Sequence, residues 1–432
     1  MKIFIGMNNV ASLIGDYTEG FKNLGHEVFS VTRTDHVFTS NNVDLNIPVL
    51  VKGKMKRENN FSPQVQEKWT KFYNEMAWQK ALEADVVFFL WSSFMEDCSD
   101  LPLLKKMGKK IIVRFVGSEV RYPPFEREFC KWGGLPYGDN NLSENIDSFK
   151  KKLNYIRMVE LFADVVIGSS TLSLRPSFTN GFGLFFKRDI PQRTVHNEIP
   201  IIMHAPSKRL TKGTNDWLVV FDALRANGFK FGLKFLEEIP HEQMLREYST
   251  ADIFCNSLIY SGRTAMEAMA AGCVVLDVGY KYRNKKDFKY NLRAFGITET
   301  QENIDNFFEK GGFEYLFHAP TIKVNYENVV QKLAEIILDL PRRRELAQKS
   351  IEYIDRLSPK NTCVEIFQAM DAPDSFNTAI KSYWSPFLTR HYDATNTTME
   401  YKKIFNTYTK MVKKCTWYKR YIQNCERGGL FF

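Results

Sequence analysis

The chain has 432 residues, 44% of them hydrophobic and 25% charged, with a formal charge of +9. This length and apolar content suit a globular protein of two or three domains with sizeable cores. The basic balance fits anionic partners without choosing among small molecules, an acidic membrane face or nucleic acid.

Further classes drop out on motif grounds. No stretch reaches about 18 consecutive apolar residues, so no transmembrane helix is expected. The apolar run of the N-terminal MKIFIGMNNV is too short for a signal peptide. The seven cysteines (Cys98, Cys130, Cys255, Cys273, Cys363, Cys415 and Cys425) form no C-x-x-C pair and no zinc spacing. Cys255 and Cys273 sit in apolar strand patterns, which predicts buried free thiols and a reducing, cytoplasmic compartment.

Lys2–Ile5 reads as an opening strand, followed by a turn from Gly6 and a helix around Ala11–Leu24. Strand, Gly/Asn turn and helix open a doubly wound sheet, in which ligands sit beyond the strand C-termini. The turn is not a G-x-G-x-x-G dinucleotide fingerprint, because only Gly6 and Gly15 are available. Residues 39–60 read as irregular, residues 63–82 as a helix, residues 84–91 as a buried strand and residues 101–107 as a short helix. The strand KIIVRF (110–115) ends in Val116-Gly117-Ser118-Glu119-Val120-Arg121. Those polar residues at a strand C-terminus are placed to meet a ligand, or form a surface Glu119–Arg121 pair. The stretch 122–145, rich in Pro, Gly and aromatics, is a loop excursion of a length that is often functional. A helix over 146–162 and a strand from Ala163 complete the first half, and KRDIPQRTVHNEIP (187–200) is the domain boundary.

The second half opens with the strand Ile201-Ile202-Met203, followed by His204-Ala-Pro-Ser-Lys-Arg209-Leu-Thr-Lys212-Gly-Thr. Taken alone, Arg209 and Lys212, with Lys208 a less certain third cation, read as a solvated basic loop or as preorganised cations for an anion. A helix over 217–227, a strand over 229–236 and a helix over 241–248 follow. Next comes ADIFCNS, then Tyr260-Ser261-Gly262-Arg-Thr264-Ala265-Met-Glu267-Ala-Met-Ala-Ala-Gly272, then the strand CVVLDVG. Ser261 is a fitting N-cap, and a helix N-terminus there presents free N–H groups and partial positive charge to a phosphate. Glu267, about one and a half turns in, is in reach of a ribose hydroxyl beside it, or is an ordinary paired carboxylate. His241 reads as a helix-start residue as readily as a chemical one. Helices around 325–338, 342–357 and 360–370 close this half.

The strand–turn–helix–strand segment with SGRTAMEAMAAGCVVLD, together with HAPS…R…KG-T, resembles the donor site of the GT-B glycosyltransferases, in particular glycosyltransferase family 4. Ile259 stands where many members carry the first of two glutamates, and Phe115 and Val116 where many carry a histidine. The resemblance implies an α/β GT-B fold, two Rossmann-like doubly wound domains facing across a cleft. The domains would span 1–190 (acceptor side) and 200–370 (nucleotide-sugar donor), the helix around 360–370 beginning the crossing back to the first domain, with a helical basic and aromatic extension over 371–432.

The implied activity is a hexosyltransferase-type transfer of sugar from a nucleoside-diphosphate sugar to a glycan, lipid-linked or protein acceptor. It would retain anomeric configuration and need neither metal nor any cofactor besides the donor substrate. Arg209 and Lys212 would be catalytic, stabilising the leaving diphosphate. Gly6, Asn9, Gly15, Ser261, Gly262, Thr264, Ala265 and Glu267 would bind the donor, and Gly117, Ser118, Glu119 and Arg121 would face the acceptor. The alternatives are a non-catalytic GT-B glycan-binding or scaffold protein, and another GT-B enzyme such as a sugar-nucleotide epimerase or a phosphorylase. Residues 401–421 hold seven Lys or Arg, six aromatics and no acid. They fit an interfacial helix on an anionic membrane surface, or a C-terminal helix packed on the first domain with exposed lysines. No RNA-binding motif accompanies them, so nucleic acid is not an expected partner.

Overall fold

The computed structural model describes residues 1–34, 43–48, 50–51, 62–116, 119–120, 146–167, 190–193, 195–207, 209–258, 263–278, 319–325, 327–355, 357 and 359–371. The first half begins with β1 (Lys2–Met7), a 3₁₀ turn over Val10–Ser12, α1 (Leu13–Lys22) and β2 (Glu27–Thr32). It continues through β3 (Leu45–Asn46), α2 (Pro63–Glu83), β4 (Val86–Leu90), α3 (Leu101–Lys106), β5 (Lys110–Arg114), α4 (Ile146–Phe162) and β6 (Val165–Ile167). These strands form one parallel sheet in the order β3-β2-β1-β4-β5-β6.

Every residue of β4, VVFFL, is buried, as a strand covered on both faces requires. Alternate residues sort into two cores. Phe4, Val87, Phe89, Ile111 and Val113 meet Tyr73, Ala77 and Ala81 of α2, Leu101 and Leu104 of α3, and Ile156 and Val159 of α4. Ile3, Ile5, Phe88, Leu90 and Ile112 face Ile14, Tyr17 and Phe21 of α1. The period of two along each strand is what splits the apolar set between layers.

The second half runs β7 (Ile201–His204), the single turn α5 (Arg209–Lys212), α6 (Thr214–Ala226), β8 (Gly232–Phe235), α7 (His241–Tyr248), β9 (Ile253–Cys255), α8 (Arg263–Ala270) and β10 (Val274–Val278). After it come β11 (Ile322–Val324), α9 (Val329–Leu338), α10 (Leu340–Asp355) and α11 (Pro359–Asp371). Its parallel sheet has the order β11-β10-β9-β7-β8. One face packs on α6 and α9 through Trp217, Phe221, Leu333 and Ile336. The other packs on α7, α8 and α10 through Leu245, Tyr248, Ala268 and Ile354.

The last helix among the described residues does not stay with this sheet. Cys363 and Ile366 of α11 are buried in the core of the first half, and Phe367 lies 5.1 Å from the Phe21 ring. Two doubly wound parallel sheets with α11 crossing back make the GT-B architecture expected from the sequence.

The segment that joins the halves is clamped to the second one. Arg193 Nη2 lies 3.0 Å from Asp252 Oδ1, and the Ile201 amide donates to Asp252 Oδ2 at 2.8 Å. Arg343, with no exposed surface, donates to the carbonyls of Ile336, Ile337, Asn197 and Glu198.

Several expectations are refined. Gly6 belongs to β1 rather than to the turn after it. The stretch read as irregular from residue 39 contains the two-residue strand β3, and β11 has no counterpart in the sequence reading. The helix expected from Trp217 starts at Thr214. Cys255 and Cys273 are buried free thiols as expected, as are Cys98 and Cys363. Among the described residues no helix is long and apolar enough to cross a membrane. The segment 401–421 lies outside those residues.

Candidate functional site

In each sheet the strand order reverses next to one central strand, and loops leaving adjacent strands there diverge to open a crevice. In the first sheet the reversal lies between β1 and β4. The loop after β1 carries Asn8, whose Nδ2 donates to Ser92 Oγ after β4 at 2.8 Å. Arg33 braces the far loop by donating to Ser92 Oγ, the Ser93 carbonyl and the Phe94 carbonyl.

Asn9 is 3% exposed, and its Oδ1 accepts from the Ile14 amide at 3.1 Å in the first turn of α1. Its backbone N–H donates to Thr34 Oγ1 at 3.0 Å. A side chain expected to meet the donor thus also builds the loop. Gly6 is fixed by packing, since an added Cβ would stand 3.1 Å from the Phe4 ring. Gly15 lies inside α1, followed by the buried Asp16.

The second sheet reverses between β7 and β9. His204 ends β7 at 1% exposure, with Nδ1 2.8 Å from the Cys255 carbonyl and Nε2 3.0 Å from Thr214 Oγ1. A carbonyl can only accept, so Nδ1 carries the proton and Nε2 accepts from the Thr214 hydroxyl. This imidazole staples β7 to β9 and to the start of α6. Burial pushes its pKa down to about 4, against the Cys255 hydrogen bond and with the Lys212 charge adding to the fall.

Arg209 and Lys212 sit together on the one turn of α5 beyond β7. Arg209 is 56% exposed, with its guanidinium 5.2 Å over the Phe235 ring. It donates to both Glu237 oxygens, Nε to Oε1 at 2.8 Å and Nη2 to Oε2 at 2.5 Å. The planar guanidinium fork thus already grips an oxyanion in the geometry a phosphate would present. Lys212 is 8% exposed.

Beyond β9, Asn256 organises the approach to α8. Its carbonyl accepts from Trp217 Nε1, its Nδ2 donates to Asp277 Oδ1, and its Oδ1 accepts from Thr264 Oγ1 at 3.0 Å. Thr264 is thereby fixed in the first turn of α8, and the adjoining Ala265 is 2% exposed.

Glu267 is 1% exposed. Its Oε1 accepts from Arg263 Nε at 2.8 Å and from His241 Nε2 at 2.8 Å. Burial raises its pKa, but His241 and the Arg263 charge overcome that and hold the carboxyl below its ordinary range. Burial, with the same carboxylate's charge, pushes the Tyr248 hydroxyl well up. Arg263 also reaches the other half, where its Nη1 lies 2.6 Å from Asp16 Oδ2 on α1. Two buried carboxylates share one guanidinium across the cleft. Removing that cation would break a buried ion pair at each carboxylate, typically a loss of about 3–5 kcal/mol.

The structure brings together Thr264, Ala265 and Glu267 on α8 and places Arg209 and Lys212 beyond the neighbouring strand. Glu119 folds back on its own turn, its Oε1 accepting from the Val116 amide. Gly117, Ser118 and Arg121, and likewise Ser261 and Gly262, lie outside the described residues. Asp16, Arg263 and the pairing of His241 with Glu267 are absent from the sequence reading. Arg263 carries a readable signal, since a cation four residues before a glutamate on one helix face pairs with it. Asp16 carries none, because its partner stands in the other half of the chain.

No protein-family model matches the chain, and no curated protein matches it in sequence. Solved structures do resemble it in shape. A sucrose-phosphate synthase from Thermosynechococcus elongatus aligns over 85% of this chain and 98% of its own, at 12% identity and TM-score 0.49. A variant of S. aureus TarM, solved with fondaparinux, alpha-GlcNAc-glycerol and UDP, covers 86% and 100% at 9% identity and TM-score 0.48. An alpha-glucosyltransferase in complex with UDP-glucose and DNA covers 86% and 100% at 13% identity and TM-score 0.44. At these identities and scores the fold assignment rests on the sheet orders and the return of α11.

Proposed function

We propose that the protein transfers a sugar from a nucleoside-diphosphate sugar to a glycan, lipid-linked or protein acceptor. The observation that carries this reading is the meeting of the two switch points. The loops after β7 and β9 bear Arg209, Lys212, Thr264 and Glu267, and the helix after β1 faces them, joined by Asp16 to Arg263 at 2.6 Å. A cleft lined by cations on one side and closed by the opposite sheet suits a diphosphate whose sugar must meet an acceptor.

In the transfer, the bond between the anomeric carbon and the β-phosphate oxygen breaks, and a bond from the acceptor oxygen to that carbon forms. Negative charge develops on the leaving diphosphate, whose departing β-phosphate oxygen takes up the proton that the acceptor hydroxyl gives up. Arg209 and Lys212 stabilise that charge from preorganised positions. Loss of one such cation should raise the barrier by about 3 kcal/mol, the scale of an oxyanion donor. In this reading the start of α8 takes a phosphate, Glu267 accepts the ribose hydroxyls, and residues 117–121 with 122–145, most of them outside the described residues, meet the acceptor. Retention of configuration and independence of metal belong to the same reading.

A thermal-shift panel of UDP, GDP, CDP, ADP and their sugars tests it, with Lys212→Ala and Glu267→Ala beside the wild type. A nucleoside diphosphate at 100 times its Kd should stabilise the protein by about 2.7 kcal/mol. The expected result is a shift with one base, lost in both variants, and release of the free diphosphate from its sugar only when acceptor is present. Stabilisation by no nucleotide contradicts the reading, and acceptor-independent turnover would indicate an epimerase instead.

A further inference from the structure

Four ionisable side chains form an unbroken line through the cleft: Asp16, Arg263, Glu267 and His241, linked at 2.6, 2.8 and 2.8 Å. Their side chains retain 4%, 13%, 2% and 14% exposure. The first belongs to α1 of one half, and the other three to α8 and α7 of the other half. An arginine on a free helix face has many rotamers open to it. Here the guanidinium is held at both ends, its Nε edge on Glu267 and its Nη1 on Asp16. The planar fork transmits the position of one carboxylate to the other.

We propose that Asp16 is a positioning residue of the donor site, contributed by the opposite half and acting through Arg263 on Glu267. Resting on the function proposed above, it makes the grip on the donor nucleoside depend on the two halves being together. With Asp16 in place, Arg263 is drawn across the cleft while its Nε holds Glu267 Oε1. When the halves part, or Asp16 is neutralised, the guanidinium loses one anchor. The carboxylate, still bonded to His241, is then held less firmly in its orientation toward the ribose. The pyrophosphate contacts proposed above rest on Arg209 and Lys212 of α5, which are not members of this line.

That separation supplies the test, made on the full chain by calorimetric titration with the nucleoside diphosphate that binds the wild type and, separately, with inorganic pyrophosphate. Asp16→Asn, nearly isosteric, should weaken nucleoside-diphosphate binding by about tenfold, within the usual range for coupled sites. It should leave pyrophosphate affinity unchanged. Arg263→Lys, which keeps the charge but not the fork, should weaken the nucleotide similarly. The double variant should be no weaker than Arg263→Lys alone, because Asp16 acts through that residue. Asp16→Glu should restore most of the affinity, and it stands in for the charge if the asparagine variant does not fold.

Unchanged nucleotide affinity in Asp16→Asn overturns the proposal. So does an equal loss for pyrophosphate, which would mark a general loosening of the fold, and so does an additive double variant. A wild type that binds pyrophosphate but no nucleoside diphosphate removes both this proposal and the reading beneath it. A wild type that binds the nucleotide while Asp16→Asn binds it equally removes this proposal alone.

Discussion

His204 has a ring nitrogen on the Cys255 carbonyl and another on the Thr214 hydroxyl, and burial holds its pKa at about 4. Unfolded, the same imidazole titrates near 6.5, so between these values the unfolded chain binds the extra proton. Stability contributed here is full above pH 6.5 and falls as the pH drops toward 4, by about 3 kcal/mol in all. Glu267 acts in a different window. Its folded pKa is depressed, so its contribution is present above the ordinary carboxylate range and is lost as pH falls through the lowered value.

Denaturant unfolding of wild type and His204→Gln at pH 7, 6, 5 and 4.5 separates the two. The variant should begin less stable and show the shallower loss, and parallel curves would contradict the assigned state of His204. At this scale the charges were readable from the sequence and their partners only partly so. Arg209 and Lys212 stand out as cations after a strand, but the Glu237 carboxylate that grips Arg209 comes from a different loop. Glu267 was legible through its helix, and Arg263 through its spacing. Asp16 was not, because a contact between remote segments leaves no local pattern.

At the scale of elements, the turn carrying Lys212 depends on the residue that ends it. Gly213 has φ +67° and separates α5 from α6. A Cβ there would stand 3.0 Å from Leu258 Cβ, in the loop that follows β9. Gly213→Ala therefore meets both the left-handed backbone cost of about 1–2 kcal/mol and a steric clash. Gly228, at φ +82° with no heavy atom within 4 Å of the same added Cβ, meets only the first. Chemical denaturation should place Gly213→Ala below Gly228→Ala by about 1 kcal/mol or more. Equal losses would show that Leu258 yields and that the two loops are not tightly packed.

The long elements were legible because their periods are sustained. The helix over 63–82 begins with Pro63 at its first position after Ser62, a local start signal. The strands around 86 and 274 are continuous apolar runs. By contrast, β3 and β11 span two and three residues, and pairing with a neighbour, not a pattern of their own, makes them strands.

For the whole molecule, the described residues pass between the halves through 190–200 and again at α11. Arg343 ties the first passage to the end of α9, so the second half carries its linker as a fixed part. The return of α11 was readable as an expectation of the fold, and its seat against Phe21 required the structure. What remains between the sheets is the cleft over both switch points, bridged by Asp16 and Arg263.

The central claim is that a nucleoside diphosphate occupies this cleft and touches both halves. Hydrogen–deuterium exchange of the full chain, with and without a saturating nucleoside diphosphate, tests that claim most directly. The account predicts slower exchange in three segments at once: 204–214, 256–270 and, across the cleft, 13–22. Protection confined to segments away from the two switch points, or its absence from all three, would contradict it.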